Sequence, residues 1–209
     1  MTEIGAITTT DQTLMSWPAA QGVPLFSVSM TTGPDAYGAT DPEVAQIDGQ
    51  WWLYYAGLSC SGASCQYQVL RRTLNPTTLA VGSAQAVLSG DSSAEETGGV
   101  AGPSLLLYQG RYHMAYTALS ARVQQSWATL ELTVASSSIQ MAVSNNSGQS
   151  FIRVSGATGL APAMGSFNGN GSAGPCLYQD GNSSLEMYFG GYAAAPESWA
   201  IGDSVLNSH

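Results

Sequence analysis

The chain has 209 residues, enough for one large domain or two small ones with a buried core. Charged residues make up only 9%, far below the usual share of about a quarter, while the hydrophobic fraction of 44% is ordinary. Fourteen acids against five arginines and no lysine give a net charge of −9, which repels phosphate backbones and anionic lipid. Such a composition excludes long charged helices and coiled coils, and no apolar run reaches the roughly 18 to 20 residues of a spanning helix.

Met1 to Gly5 carry neither a basic nor an apolar leader pattern, so no signal peptide is read there. Residues Leu14 to Phe26 read as an N-terminal strand or closing strap. Three segments then repeat one pattern. The first runs from Asp35 through Asp41-Pro42-Glu43-Val44 to Asp48-Gly49 and the strand Trp51 to Ala56. The second runs from Glu96 through Gly102-Pro103-Ser104-Leu105 to Gln109-Gly110 and the strand Tyr112 to Thr117. The third runs from Asn168 through Gly174-Pro175-Cys176-Leu177 to Asp180-Gly181 and the strand Leu185 to Phe189. In each, an Asp, Glu or Asn precedes the proline by the same interval, and a Gly-containing turn then leads into an aromatic-rich strand.

Proline followed by a short apolar run predicts a first strand that opens on the proline. The Asx-Gly dipeptides predict hairpin turns, and the aromatic and branched residues predict second strands. Third strands follow at Gln66–Thr73, Ile139–Ser144 and Trp199–Val205, and fourth strands at Gln85–Leu88 and Phe151–Val154. Trp127–Val134 reads as an extra strand or hairpin, its Thr and Val residues disfavouring a helix. Four antiparallel strands recurring about every 60 residues is the spacing of propeller blades. The expectation is a single all-β domain over 1–209, with blades near 35–90, 96–155 and 168–209 and residues 1–34 as the N-terminal segment.

Cys60 and Cys65 bracket a Gly/Ser loop, and a disulfide there or free thiols are equally compatible with that spacing. Two histidines without clustered acids call for no catalytic metal, and no loop signature calls for calcium. There is no Gly-x-Ser-x-Gly elbow. The Gly-rich run 168–174 lacks the lysine of a phosphate loop, so no cofactor is expected. His113 reads as a packed strand histidine. Low charge and abundant Ser, Thr and Gly lean towards an extracellular or periplasmic protein.

Asp41-Pro42-Glu43-Val44, followed by Asp48-Gly49-Gln50-Trp51-Trp52-Leu53-Tyr54-Tyr55, resembles the five-bladed β-propeller glycoside hydrolases. These form the furanosidase-like superfamily that includes families 43 and 32. Residues Ile139 to Phe151 are similar to that superfamily's third strand and the turn that follows it. They also resemble a degraded sialidase Asp-box, with Asn146 where the Asp would stand. The resemblance covers roughly residues 30 to 205 and implies a carbohydrate substrate, with carboxylates gathered at a central funnel. Asp41 would be the general base, Glu96 the general acid and Asp35 an orienting group, since glycoside hydrolysis needs paired carboxyls across the scissile bond. Tyr37 and Trp51 would offer stacking surfaces, as would Trp17, and Asn168 would contact sugar. Gly102 and Gly174 stand where Asp41 does, and Asn168 stands where Glu96 does. That pattern also fits a second reading, an inactive propeller binding carbohydrate or protein.

Overall fold

The computed structural model describes residues 3–6, 24–28, 32–61, 64–120, 123–124, 136–155, 160–163, 166–180, 184–194 and 197–206. Trp17, the Trp127–Val134 strand and residues 14–23 of the N-terminal strand lie outside them. Blade 1 comprises β1 (Gly38–Ile47), β2 (Gln50–Ser61), β3 (Ser64–Thr73) and β4 (Gln85–Ser89), antiparallel and side by side in that order. A 3-10 turn at Ala94–Glu96 leads into blade 2, made of β5 (Gly99–Tyr108), β6 (Arg111–Leu119), β8 (Ser137–Ser144) and β9 (Ile152–Arg153). Between them in sequence, β7 (Val123–Gln124) pairs with Ser64 and Cys65 of β3. Blade 3 comprises β10 (Gly171–Gln179), β11 (Leu185–Ala194) and β12 (Glu197–Leu206). Neighbouring blades join through single parallel pairs, Tyr67 with Gly99 and Ser137 with Gly171.

The first two hairpin dipeptides act as their sequence predicts, while Gly181 of the third lies outside the described residues. Asp48 and Gly49 have φ of 51° and 78°, and Gln109 and Gly110 have 49° and 76°, the left-handed pair that a two-residue turn between twisted strands requires. The prolines differ from expectation. Pro42, Pro103 and Pro175 do not open β1, β5 and β10 but lie inside them, each at a bulge where two residues face one. Thr40 pairs with Ala56 and Glu43 with Tyr54, so Asp41 and Pro42 together oppose Tyr55. Proline cannot donate to the ladder, and a bulge is where that lost donor costs least.

Blades pack face to face. Tyr54, Val69, Leu88, Val100, Met114 and Phe151 form the core between blades 1 and 2. Ala115, Ile139, Leu177, Leu185, Met187 and Phe189 form the one between blades 2 and 3. Tyr54 crosses the first interface to donate its hydroxyl to the Gly148 carbonyl at 3.0 Å. A side chain at Gly148 would collide with that hydroxyl, its Cβ falling 2.3 Å away. Asn146 fixes this turn, its Oδ1 accepting from the Ser144 hydroxyl at 2.9 Å and from the Ser150 N–H at 3.0 Å. His113 packs in a strand, its ring 5.8 Å from Tyr108, and burial holds its pKa below the usual value. At the other end, Ile4, Leu25, Phe26 and Val28 cover Leu53, Tyr55 and Leu70 on the far face of blade 1.

Cys60 and Cys65 form a disulfide across the β2–β3 hairpin, resolving what the spacing left open. Closing so short a loop constrains the unfolded chain by about 2 kcal/mol. Reduction is expected to lower the melting temperature by about 4 to 8 °C, which calorimetry with and without reductant will read.

Candidate active site at the meeting of three bulges

The bulges put the residue before each proline into the left-handed region: φ is 53° at Asp41, 53° at Gly102 and 60° at Gly174. Glycine adopts this conformation without strain, which explains why two of the three repeats carry it. Asp41 holds the same backbone shape with a side chain. All three bulges line one cavity of about 680 Å³, together with Glu43, Ser104, Cys176, Thr117 and Tyr67. They are close neighbours, since a Cβ at Gly102 would lie 3.8 Å from Gly174 Cα and 3.8 Å from Pro175 Cδ.

Two kinds of clasp tie each bulge to the next. The Gly102 N–H donates to the Asp41 carboxylate, and the Leu105 N–H donates to Glu43. One blade on, the Gly174 N–H donates to Thr117 Oγ1 at 3.1 Å and the Leu177 N–H donates to Ser104 Oγ at 3.0 Å. By register Glu43 and Ser104 are equivalent, while Thr117, on the strand opposite, takes the place of the carboxylate that Gly102 lacks. The same clasps are therefore made once with carboxylates and once with hydroxyls.

Asp41 keeps water-accessible surface, yet protein surrounds it on several sides of a concave wall. Lost hydration there raises its pKa above the usual 3.8, offset in part by the Thr40 hydroxyl at 3.1 Å and by the Gly102 N–H. Burial likewise lifts Glu43 above its usual 4.5. Tyr67, nearly buried, is raised by burial and by the nearby charge of Asp41. For a carboxyl whose folded pKa is raised, the stabilising contribution is full below the unfolded value and is lost as pH rises through the folded one. Wild type is thus expected to lose stability relative to Asp41→Asn/Glu43→Gln as pH climbs from about 4 through the raised folded values, by a modest margin because water still reaches both groups. Paired melts across that range will show whether the gap widens in this direction.

Of the nominated residues that the structure describes, Asp41 alone lines the cavity. Asp35 and Glu96 are not brought to it, because each is held in a buried ion pair behind the bulges. Asp35 accepts from the Tyr55 hydroxyl at 2.6 Å and from Arg72 Nη2 at 2.7 Å. Glu96 accepts from the Tyr116 hydroxyl at 2.8 Å, from Arg153 Nε at 3.0 Å and from the Asp91 N–H at 3.0 Å, and it also contacts Arg153 Nη2. Both tyrosines have their pKa raised by burial and then by the adjoining carboxylate. Asn168, at the same place in blade 3, is buried and donates to Ser172 Oγ at 3.0 Å, and Phe189 stands where Tyr55 and Tyr116 do. Acid and tyrosine disappear together, which is the signature of a shared hydrogen bond. Tyr37 packs against the cluster that contains Leu58 and Tyr67. Trp51 lines a separate cleft. The sequence reading missed Glu43, Tyr67 and Thr117 as cavity residues; for Glu43 the available signal was its place one residue after the proline, in the same repeat position as Ser104 and Cys176.

The sequence matches no family model and no curated protein. Solved structures do match. An endo-1,4-beta-xylanase from Bacteroides thetaiotaomicron VPI-5482 superposes with a TM-score of 0.59 at 16% identity, covering 90% of this chain and 63% of its own. A thermostable family-43 glycoside hydrolase gives 0.64 at 18% identity, covering 89% of this chain and 58% of its own. A family 117 glycoside hydrolase from Zobellia galactanivorans gives 0.60 at 10% identity, covering 81% and 52%. The chain spans roughly three fifths of the length of the first two structures. It has the all-β, propeller-blade fold of these glycoside hydrolases.

Proposed function

We propose that the chain acts on carbohydrate, hydrolysing a glycosidic bond in the cavity where the three bulges meet. Asp41 is the group that activates water, and Glu43, rather than Glu96, is the second carboxyl. One observation carries this reading: the clasp that Asp41 makes to Gly102 is made in the next interface by Thr117, without charge and without a strained backbone. A carboxylate held in a left-handed bulge is therefore more than the fold requires, and strain of this kind collects at functional sites. Its raised pKa makes it a stronger base than a solvated aspartate, and its exposed surface lets water and substrate reach it. Water gives its proton to Asp41 as it attacks the anomeric carbon, and Glu43, in its protonated form, delivers a proton to the departing glycosidic oxygen on the opposite face, which would invert configuration. The glycoside hydrolase fold of the matching structures supports the substrate class.

The alternative, a carbohydrate-binding propeller without turnover, is favoured by Gly102 and Gly174 at the positions equivalent to Asp41 and by the commitment of Asp35 and Glu96 to arginines. Release of aglycone from aryl α-L-arabinofuranosides, aryl β-xylosides and fructans, by wild type beside Glu43→Gln and Asp41→Asn, separates the two. Turnover lost in both variants supports hydrolysis at this cavity, whereas sugar binding by a folded chain with no turnover supports the binding module. An extracellular or periplasmic location is part of the same proposal, supported by the Cys60–Cys65 disulfide, a bond that persists in oxidising compartments.

A further inference from the structure

The cleft that holds Trp51 lies at the end of blade 1 away from the bulges, where β1 turns into β2. It measures about 520 Å³ and lies between the Gly49-Gln50 turn and the loop from Asn75 to Gly82. Among the described residues, none that lines it is charged: Trp51 supplies the aromatic surface, and Gln50, Asn75 and Thr73 supply amide and hydroxyl groups. Trp51 is partly buried, packed on one side against the cluster of Leu53, Tyr55 and Leu74.

The walls are set before any ligand arrives. Asn75 Oδ1 accepts from the N–H groups of Thr77 and Thr78, each at 3.0 Å, and the Asn75 carbonyl accepts from Leu79 N–H at 2.8 Å. The Asn75 N–H closes the loop on the Ala80 carbonyl at 2.9 Å. Leu79 sits at φ 59°, a left-handed conformation that a branched apolar residue rarely takes. Gly82 lets the strand through where a Cβ would fall 2.3 Å from Thr73 Oγ1. The Gln50 amide is anchored on the Trp51 carbonyl at 2.7 Å, fixing the opposite rim.

We infer that this cleft is a second carbohydrate site, taking a neutral glycan chain on the Trp51 surface independently of the cavity at the bulges. A sugar ring has an apolar C–H face and hydroxyls around its edge. An aromatic side chain flanked by uncharged amide and hydroxyl groups on a rigid frame matches both. A charged ligand finds no counter-charge among the described lining residues, and an anionic one is repelled by a chain of net charge −9. The site does not depend on turnover at the bulges, so the two readings succeed or fail separately.

Native affinity electrophoresis through gels containing arabinoxylan, debranched arabinan or mixed-linkage glucan tests it. Wild type is expected to be retarded by at least one of these, equally at low and high salt. Trp51→Ala, and Ala80→Trp which fills the cleft from an exposed position, are each expected to weaken retardation about tenfold, while Asp41→Asn leaves it within about twofold. Circular dichroism and melting check that the variants fold, and Ala80→Trp decides the matter if Trp51→Ala does not. The inference is overturned if no neutral glycan retards the wild type. It is also overturned if retardation survives in Ala80→Trp, is lost in Asp41→Asn, or is displaced by a proline-rich peptide at the same cleft.

Discussion

Asp41→Gly is expected to melt at or above the wild type and above Asp41→Ala by about 1 to 2 kcal/mol, while both variants lose about a thousandfold in turnover. The stability half rests on the backbone. At φ 53° an alanine meets the left-handed penalty in full, whereas glycine meets none, and Gly102 and Gly174 hold the equivalent bulges in the other blades. In wild type, hydrogen bonds from Thr40 and Gly102 offset part of that penalty, and the carboxylate is held where burial disfavours its charge. Glycine removes strain and charge together. For a chain of this length the Gly–Ala difference corresponds to about 2 to 8 °C in melting temperature. The turnover half rests on the proposed chemistry, since neither variant can accept a proton from water. A residue whose removal leaves the protein no less stable but stops the reaction is held for function rather than for folding. Equal melting of the Gly and Ala variants would remove the strain argument.

Arg153→Met is expected to destabilise the chain by about 3 kcal/mol, roughly 6 to 12 °C. Glu96 is 3% exposed, and Arg153 is its cationic partner. Without the guanidinium, a buried carboxylate retains, among the described residues, the Tyr116 hydroxyl and the Asp91 N–H. Removing one partner of a buried pair costs far more than removing the whole pair. Blade 3 shows the neutral solution, with Asn168 and Phe189 in the places of Glu96 and Tyr116. The triple variant Glu96→Asn/Tyr116→Phe/Arg153→Met is therefore expected to recover at least half of the loss. Thermal melts of the single and triple variants check this, and a triple variant no better than Arg153→Met would show that the knot contributes more than charge compensation.

These two predictions mark where the sequence was readable and where it was not. Strands and turns were readable because their chemistry is local: hairpin dipeptides, aromatic runs and a repeated proline placed nearly every strand within a few residues. The bulges were half readable, since glycine before proline in two repeats signals a left-handed backbone, yet the aspartate in the first repeat hid that signal behind a plausible catalytic role. The partners of Asp35 and Glu96 were not readable. Arg72 lies 37 residues beyond Asp35 and comes from a third strand, whereas Arg153 lies 57 residues beyond Glu96 and comes from a fourth. No spacing rule links them. The tyrosines did carry a signal, standing 20 residues after each acid and replaced by Phe189 where the acid becomes Asn168. Trp51 was recognised as a sugar-stacking type of residue, but its position at the far end of β2 depends on strand direction relative to the bulges.

The central claim is that Asp41 does chemistry where three bulges meet. Its most direct test is the initial rate of aglycone release by wild type and Asp41→Asn at matched concentrations of folded protein, with the anomer of the first-formed sugar followed by NMR. Turnover with inverted configuration, reduced about a thousandfold in Asp41→Asn, is the predicted result; turnover unchanged by the substitution would contradict it.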